Sequence, residues 1–290
     1  MAQAALASWE DPPTMGSIQA PLVTDRPSQQ GADKARGRRP PFPDDKTAAI
    51  IVVVAIIIVV QIGSAFVPAY ILPSPVQIAR SLLFSLTTDY VQILITLLRL
   101  AITLAASILI GTTIGILTGT VAAVRPYLRA LVIIDTGIPA LSWMLVAVFW
   151  FKNPEYRMFF IMVVIVVPIY ALNVHDGIRA MPKDWVQMCE SFRPSRLQML
   201  RYLIVPQVIP YVFMTTKSTV GYAFRMLIFA ELIGSSVGIG ALMGLAQASF
   251  RMDDVVAWTV LLVVLNLLIQ AAVTVLERRM LRWRDEASLR

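Results

Sequence analysis

Three charged side chains interrupt one long apolar run of this 290-residue chain: Lys217, Arg225 and Glu231, within the stretch from Val208 to Ile233. Lys217 and Arg225 are eight residues apart, which on an α-helix puts them about 12 Å apart along the axis and within about 80° around it. A charge inside such a run is expensive to strip of water, so it faces an opposite charge or a wet cavity. The chemistry open to the trio is therefore electrostatic. Arg225 either offers a positive field to a passing anion, or bonds carbonyls or a carboxylate of a neighbouring helix. Lys217, nearer the N-terminal end, can pair with a carboxylate or snorkel, and Glu231 is placed to pin the far end of the run.

A second constellation lies between two apolar runs, from Asp184 to Pro210. Trp185, Met188, Cys189 and Phe192 recur at i, i+3, i+4 and i+7, an apolar stripe on one face of a short helix. Asp184, Gln187, Glu190 and Ser191 fall elsewhere on it, and Arg196 and Arg201 follow on a second short helix. A compact charged hairpin with an apolar stripe reads as a docking surface for a soluble partner. A hairpin lying on lipid headgroups would carry more Lys and fewer acids.

Reactive chemistry is not suggested. The chain holds one histidine, His175, and one cysteine, Cys189, so an intrachain disulfide and a multi-cysteine metal site are excluded. His175, at the end of an apolar run, reads as a hydrogen-bonding residue. There is no GxxxxGK[ST], so phosphate cradling and ATP hydrolysis have no place in this chain, and no HExxH. The string TVGYA at Thr219–Ala223 lacks the closing glycine of a potassium filter and sits inside a continuous apolar run. No catalytic, cofactor-binding or metal-binding residue is expected.

The elements that position these residues follow from composition. Hydrophobic residues make up 57% of the chain, charged residues only 15%, and mean hydropathy is +0.71; a water-soluble core of this length could not hide so much apolar surface. An all-α polytopic membrane protein of about six spans is expected, over Thr47–Val67, Leu94–Val124, Leu131–Phe151, Met158–Asn173, Val208–Ile233 and Val255–Leu276. The fourth is the shortest. With the N-terminus inside, eighteen of the 25 basic residues fall in inner segments and four (Arg80, Lys152, Arg157 and Arg251) in outer ones, which predicts both termini on the cytoplasmic side. The basic charge is thus a topology signal and calls for no nucleic acid. Residues 1–46 read as a flexible cytoplasmic tail, 47–283 as the membrane domain with an inner loop over 177–206, and 284–290 as a C-terminal tail. The first apolar run starts too late to be a cleaved leader and is read as a retained span.

Within the spans, Gly111, Gly115 and Gly119 repeat every fourth residue, the pattern that lets another helix backbone approach closely. Arg99, near the outer end of the same span, is expected to snorkel or to line an entrance. Pro73 and Pro75 stop any helix before a short amphipathic segment that begins near Val76 and is expected on the outer surface. After the fifth span, Gly238 and Gly240 permit irregular backbone, tolerated at membrane depth only where protein or water satisfies its amides, and are placed near the mouth of a pathway.

Four strings together carry a resemblance: Ile71–Pro75 (ILPSP), Val167–Arg179 (VPIYALNVHDGIR), Val205–Pro210 (VPQVIP), and Ala230-Glu231-Leu232 followed by Gly238-Ile239-Gly240. From about Ile71 to Trp283 the chain resembles the permease subunits of bacterial ABC importers, of the MetI-like fold, in the branch for nitrate, sulfonates, taurine and bicarbonate. The resemblance implies an inner-membrane permease that hydrolyses nothing itself and that pairs with a second, identical permease. It also implies an ATPase that binds the ATP, a periplasmic solute-binding protein, and a small anion such as nitrate, a sulfonate or an aromatic carboxylate as solute. In that family a Glu-Ala-Ala motif, a Gly four residues on and a later Pro shape the loop that meets the ATPase. Gln187, Met188 and Cys189 stand in the first three places, Arg193 in the Gly place and Pro206 in the Pro place. Arg193 precedes Pro194, which disfavours helix at Arg193 and keeps the break by another route. Lys217 matches a basic residue of the family pattern and Glu231 its acidic one. The alternative of another class is an ATPase-independent carrier or channel, which predicts an internal repeat.

Overall fold

The protein's structure, a computed structural model, describes residues 45–68 and 70–280. The expected tails, 1–46 but for its last two residues and 284–290, lie outside the described residues. The chain divides into two units, Met1–Val52 and Val53–Arg290. Among the described residues the first holds only the start of α1 (Asp45–Gly63), and the second holds the other helices.

Helices form wherever the apolar runs are uninterrupted, and their ends are set by prolines and caps. α2 (Pro75–Thr88) begins on Pro75 at its first turn, where no amide hydrogen is needed. Ser74 caps it: Gln77 N–H donates to Ser74 Oγ at 3.3 Å and Ser74 N–H donates to Gln77 Oε1 at 2.9 Å. Among the described residues, four helical stretches are long and apolar enough to cross a membrane: α3 (Tyr90–Thr120), α6 (Pro154–Arg179), the run Arg196–Gly234 and α11 (Met252–Met280). The first apolar run forms α1, a helix of 19 residues.

The third expected span is corrected. It is not one straight crossing but two helices, α4 (Arg125–Gly137) and α5 (Ala140–Trp150), bent by 95°. Pro139 is the cause: it drives Ile138 into extended backbone, with ψ 125°. Counted as one, the bent pair makes a fifth candidate crossing among the described residues. The fourth span, expected to be the shortest, is instead a 26-residue helix. Asn173 and His175 end an apolar run but not the helix: Asn173 Nδ2 donates to the Ile169 carbonyl of its own helix at 2.8 Å.

α3 and α6 form the spine, and glycine makes their contact possible. A Cβ on Gly111 would lie 2.6 Å from Tyr170 Cβ, one on Gly115 2.6 Å from Val174 Cβ, and one on Gly119 2.8 Å from Ile178 Cδ1. No side chain fits in that space, so the two backbones close on each other along about two turns. Against this pair packs α9 (Val205–Gly234), which contributes Phe224 and Leu227 to a core shared with Met158, Ile161 and Met162 of α6 and Leu100 of α3. Tyr170, fully buried, donates its hydroxyl to Thr216 Oγ1 at 2.9 Å. TVGYA lies in the middle of this continuous helix.

Between α6 and α9 stand α7 (Lys183–Ser191), α8 (Arg196–Met199) and a π turn (Leu200–Ile204). Pro206 explains the π turn. It offers no amide hydrogen to Tyr202, its ring crowds that carbonyl, and Val205 N–H reaches back five residues to the Leu200 carbonyl. Beyond α9, a four-residue turn leads into α10 (Ile239–Ala248), which folds back on α9 before α11. α2 packs on α11, with Ser81 Oγ donating to Asp253 Oδ2 at 3.0 Å.

Candidate functional site

At the end of the bundle opposite α7, Glu231 is buried with 0% of its surface exposed. Its carboxylate is fully engaged. Thr96 Oγ1 donates towards both oxygens at 3.0 Å, Arg99 Nη1 donates to Oε1 at 2.8 Å, and the Gly240 amide donates to Oε2 at 3.0 Å. The Ile239 amide donates to Thr96 Oγ1 at 3.0 Å and the Gly238 amide to Gln92 Oε1 at 2.7 Å. Arg99, 5% exposed, turns the other edge of its fork to Glu155. Its Nε donates to Glu155 Oε2 at 2.9 Å, and its Nη2 bonds Oε1 as well. One guanidinium thus ties α3, α6 and α9 together, and also reaches the Val237 carbonyl of the turn at 2.9 Å.

The two glycines singled out in the sequence shape this site. Gly238 has φ 109°, and a Cβ there would stand 2.5 Å from Glu231 Cδ; a Cβ on Gly240 would stand 2.7 Å from Glu231 Cβ. Any side chain would expel the carboxylate. Glu231, Gly238 and Gly240 are therefore brought together, while Arg99 is corrected: it neither snorkels nor lines an entrance, because two carboxylates hold it inside. Gln92, Thr96 and Glu155 were not picked out in the sequence. The available signal was the spacing of Gln92, Thr96 and Arg99 at i, i+4 and i+7, a polar stripe on one face of an apolar helix.

The other two charges of α9 lie apart from this cluster. Lys217 Nζ is 3.4 Å from Glu277 Oε2 on α11, with half its side chain exposed, a pair worth little in stability. Arg225 is exposed and has no hydrogen-bond or ion-pair partner among the described residues. It belongs to an exposed stripe along α9 with Met214, Lys217, Phe229 and Leu232. The intrachain version of its structural reading, bonds to a neighbouring helix, is not what the protomer forms.

The expected docking stripe is uncovered. Trp185, Met188 and Phe192 are exposed, and Cys189 is half-buried; Gln187 and Glu190 are exposed beside them. Two residues beyond α7, Arg193 has a left-handed φ of 49°. Arg193 thus takes the conformation that glycine favours, and Ser195 restarts the helix as an N-cap, with Gln198 N–H donating to its Oγ at 3.3 Å. A non-glycine residue in that region is strained by about 1 kcal/mol. Arg193→Gly is therefore expected to slow hydrogen exchange of the loop amides about fivefold; unchanged exchange would mean that no strain is stored there.

The family described as "Binding-protein-dependent transport system inner membrane component" matches residues 108–282. The chain belongs to this family. The matched segment of the permease starts inside α3 and includes Glu155, the α7 loop, Glu231 and both glycines, whereas Gln92, Thr96 and Arg99 precede it. The permease is 24% identical to the taurine transport system permease protein TauC of Escherichia coli (strain K12) over 74% of this chain and 81% of the relative. It is 28% identical to the putative aliphatic sulfonates transport permease protein SsuC of Bacillus subtilis (strain 168), over 77% and 82%. Among solved structures, its fold is similar to the inward-facing MetNI methionine ABC transporter, with a TM-score of 0.55 and 18% identity over 63% of this chain and 92% of the other. The all-α, MetI-like architecture expected from the sequence is the one observed.

Proposed function

We propose that this permease is the membrane subunit of an ABC importer that passes a small anion of the nitrate, sulfonate, taurine, bicarbonate or aromatic carboxylate kind. The observation that carries the reading is the exposed, unpaired guanidinium of Arg225 on a stripe of α9 that nothing in the protomer covers. A charge costs several kcal/mol in lipid, so this stripe belongs against a second copy of the chain, around a wet route with a positive wall. The names of the relatives support the anion: besides taurine and sulfonates, the permease is 26% identical to the bicarbonate transport system permease protein CmpB of Synechococcus elongatus.

In this reading ATP is bound and hydrolysed by a separate ATPase docked on Trp185, Met188 and Phe192, and a periplasmic solute-binding protein delivers the solute. The chain sits in the bacterial inner membrane with both termini cytoplasmic. It is organised as tail 1–46, permease domain 47–283 and tail 284–290. Pro206 and the π turn join the docking loop to α9, and Glu231, Gly238 and Gly240 hold the opposite end.

Cys189, the only cysteine, tests the arrangement directly. A membrane-impermeant maleimide is expected to label it in inverted vesicles and not in intact cells, and the bound ATPase to protect it. Met188→Asp is expected to abolish co-purification of the ATPase with little loss of stability, because Met188 is exposed. Labelling from outside, or uptake by the chain alone in vesicles, would replace this reading with the ATPase-independent carrier.

A further inference from the structure

At the end of the bundle from which α7 projects, the end of α3, the start of α4 and the last turns of α6 enclose a cavity of about 500 Å³. Arg125, Arg129, Arg179, His175 and Asp176 line it, so cations outnumber the carboxylate by two even with a neutral imidazole. Arg125 is tied down, its Nε donating to the Thr118 carbonyl at 2.8 Å and its Nη2 to the Gly119 carbonyl at 3.1 Å. It closes the C-terminus of α3. Arg129 and Arg179 are exposed and have no partner among the described residues. His175 is only 9% exposed, and its buried Nδ1 has no hydrogen-bond partner. Two unpartnered guanidinium groups beside a third that is fixed mark a place for an acceptor-rich anion.

The remaining wall narrows the anion to one class. Ile114, Leu128 and Val132 continue the cavity as an apolar surface. An inorganic ion would leave that surface unused, whereas a lipid presents an anionic head and a hydrocarbon chain together, and basic pockets between membrane helices on the cytoplasmic side suit such heads. We propose that this cavity binds the phosphate diester of an acidic phospholipid: Arg129 and Arg179 pair with the phosphate, and Ile114, Leu128 and Val132 receive an acyl chain. Arg125 is the fixed corner of the site. Asp176 faces the same cavity and favours a singly charged head over a free dianion.

The test uses the full chain in detergent. Native mass spectrometry is expected to show one phosphatidylglycerol retained in preference to phosphatidylcholine, and thermal stabilisation by phosphatidylglycerol that 10 mM inorganic phosphate does not reproduce. Arg129→Gln with Arg179→Gln is expected to weaken phosphatidylglycerol binding about 25-fold, about fivefold for each arginine. Neither residue has partners to lose, and Arg129→Gln alone gives the fivefold reading should the pair reduce yield. Equal retention of phosphatidylcholine, or undiminished binding in the variants, would overturn the site. Stabilisation by inorganic phosphate equal to that by phosphatidylglycerol would overturn the lipid and assign the arginines to a free anion. None of these outcomes depends on uptake or on the ATPase.

Discussion

Arg99→Met is expected to lower the stability of this permease by about 3–5 kcal/mol, because it strands the carboxylate of Glu231 where no surface is exposed. Purified protein should melt roughly 10 °C lower or fail to accumulate. The effect is predicted to come from the orphaned charge and not from lost packing. Arg99→Met combined with Glu231→Gln should therefore recover more than half of the loss, since the Gln oxygen still accepts from Thr96 and Gly240 and no buried charge remains. Glu155 needs no rescue, because its side chain is 56% exposed and water can solvate it. A single variant that melts normally, or a double variant no better than the single, would show that this cluster does not hold the bundle together.

Arg225→Met is expected to do the reverse, reducing anion uptake by the assembled transporter at least tenfold while the subunit melts within about 1 °C of the parent. Arg225 is exposed and bonds nothing in the protomer, and substitutions at such positions usually change stability by no more than about 0.5 kcal/mol. Arg225→Lys keeps the charge but not the planar fork, and should retain part of the uptake. Substrate-stimulated ATPase activity and size-exclusion elution are read together. Loss of the dimer in the Met variant would assign Arg225 to subunit contact, and normal stimulation in an intact dimer would remove it from the solute route.

The two arginines mark how far the sequence reaches. Both lie in apolar runs, and local periodicity says only that each must face something other than lipid. Arg99 finds its carboxylates 132 and 56 residues away, and no window along the chain holds such a pairing. Glu231, Gly238 and Gly240 lie within ten residues and each stood out in the sequence, the acid for its charge and the glycines for their backbone freedom, but nothing in the sequence said that the glycines leave room for that carboxylate. α3, α9 and α11 were legible because a long apolar run has few ways to satisfy its backbone in lipid except as helix. α6 was cut short at both ends because polar residues dilute an apolar run without ending the helix. The bend at Pro139 was written in the Ile-Pro dipeptide, but averaging hydropathy over a span erases it. At Arg193 the break was readable from Pro194 but its left-handed sign was not, since a proline argument predicts extended backbone.

The π turn at Leu200–Ile204 has a geometric consequence for how the docking loop is aimed. A π turn accommodates one residue more than an α turn, so everything before it is out of phase with α9 by about 100°, one residue's worth of rotation. Pro206 makes that offset a fixed property of the chain. The azimuth at which Arg196 and the hairpin leave the bundle is thus set by a single surplus residue. Shortening the stretch by one would restore helical phase and swing the hairpin about a quarter-circle around the α9 axis, with every side chain of the stripe intact.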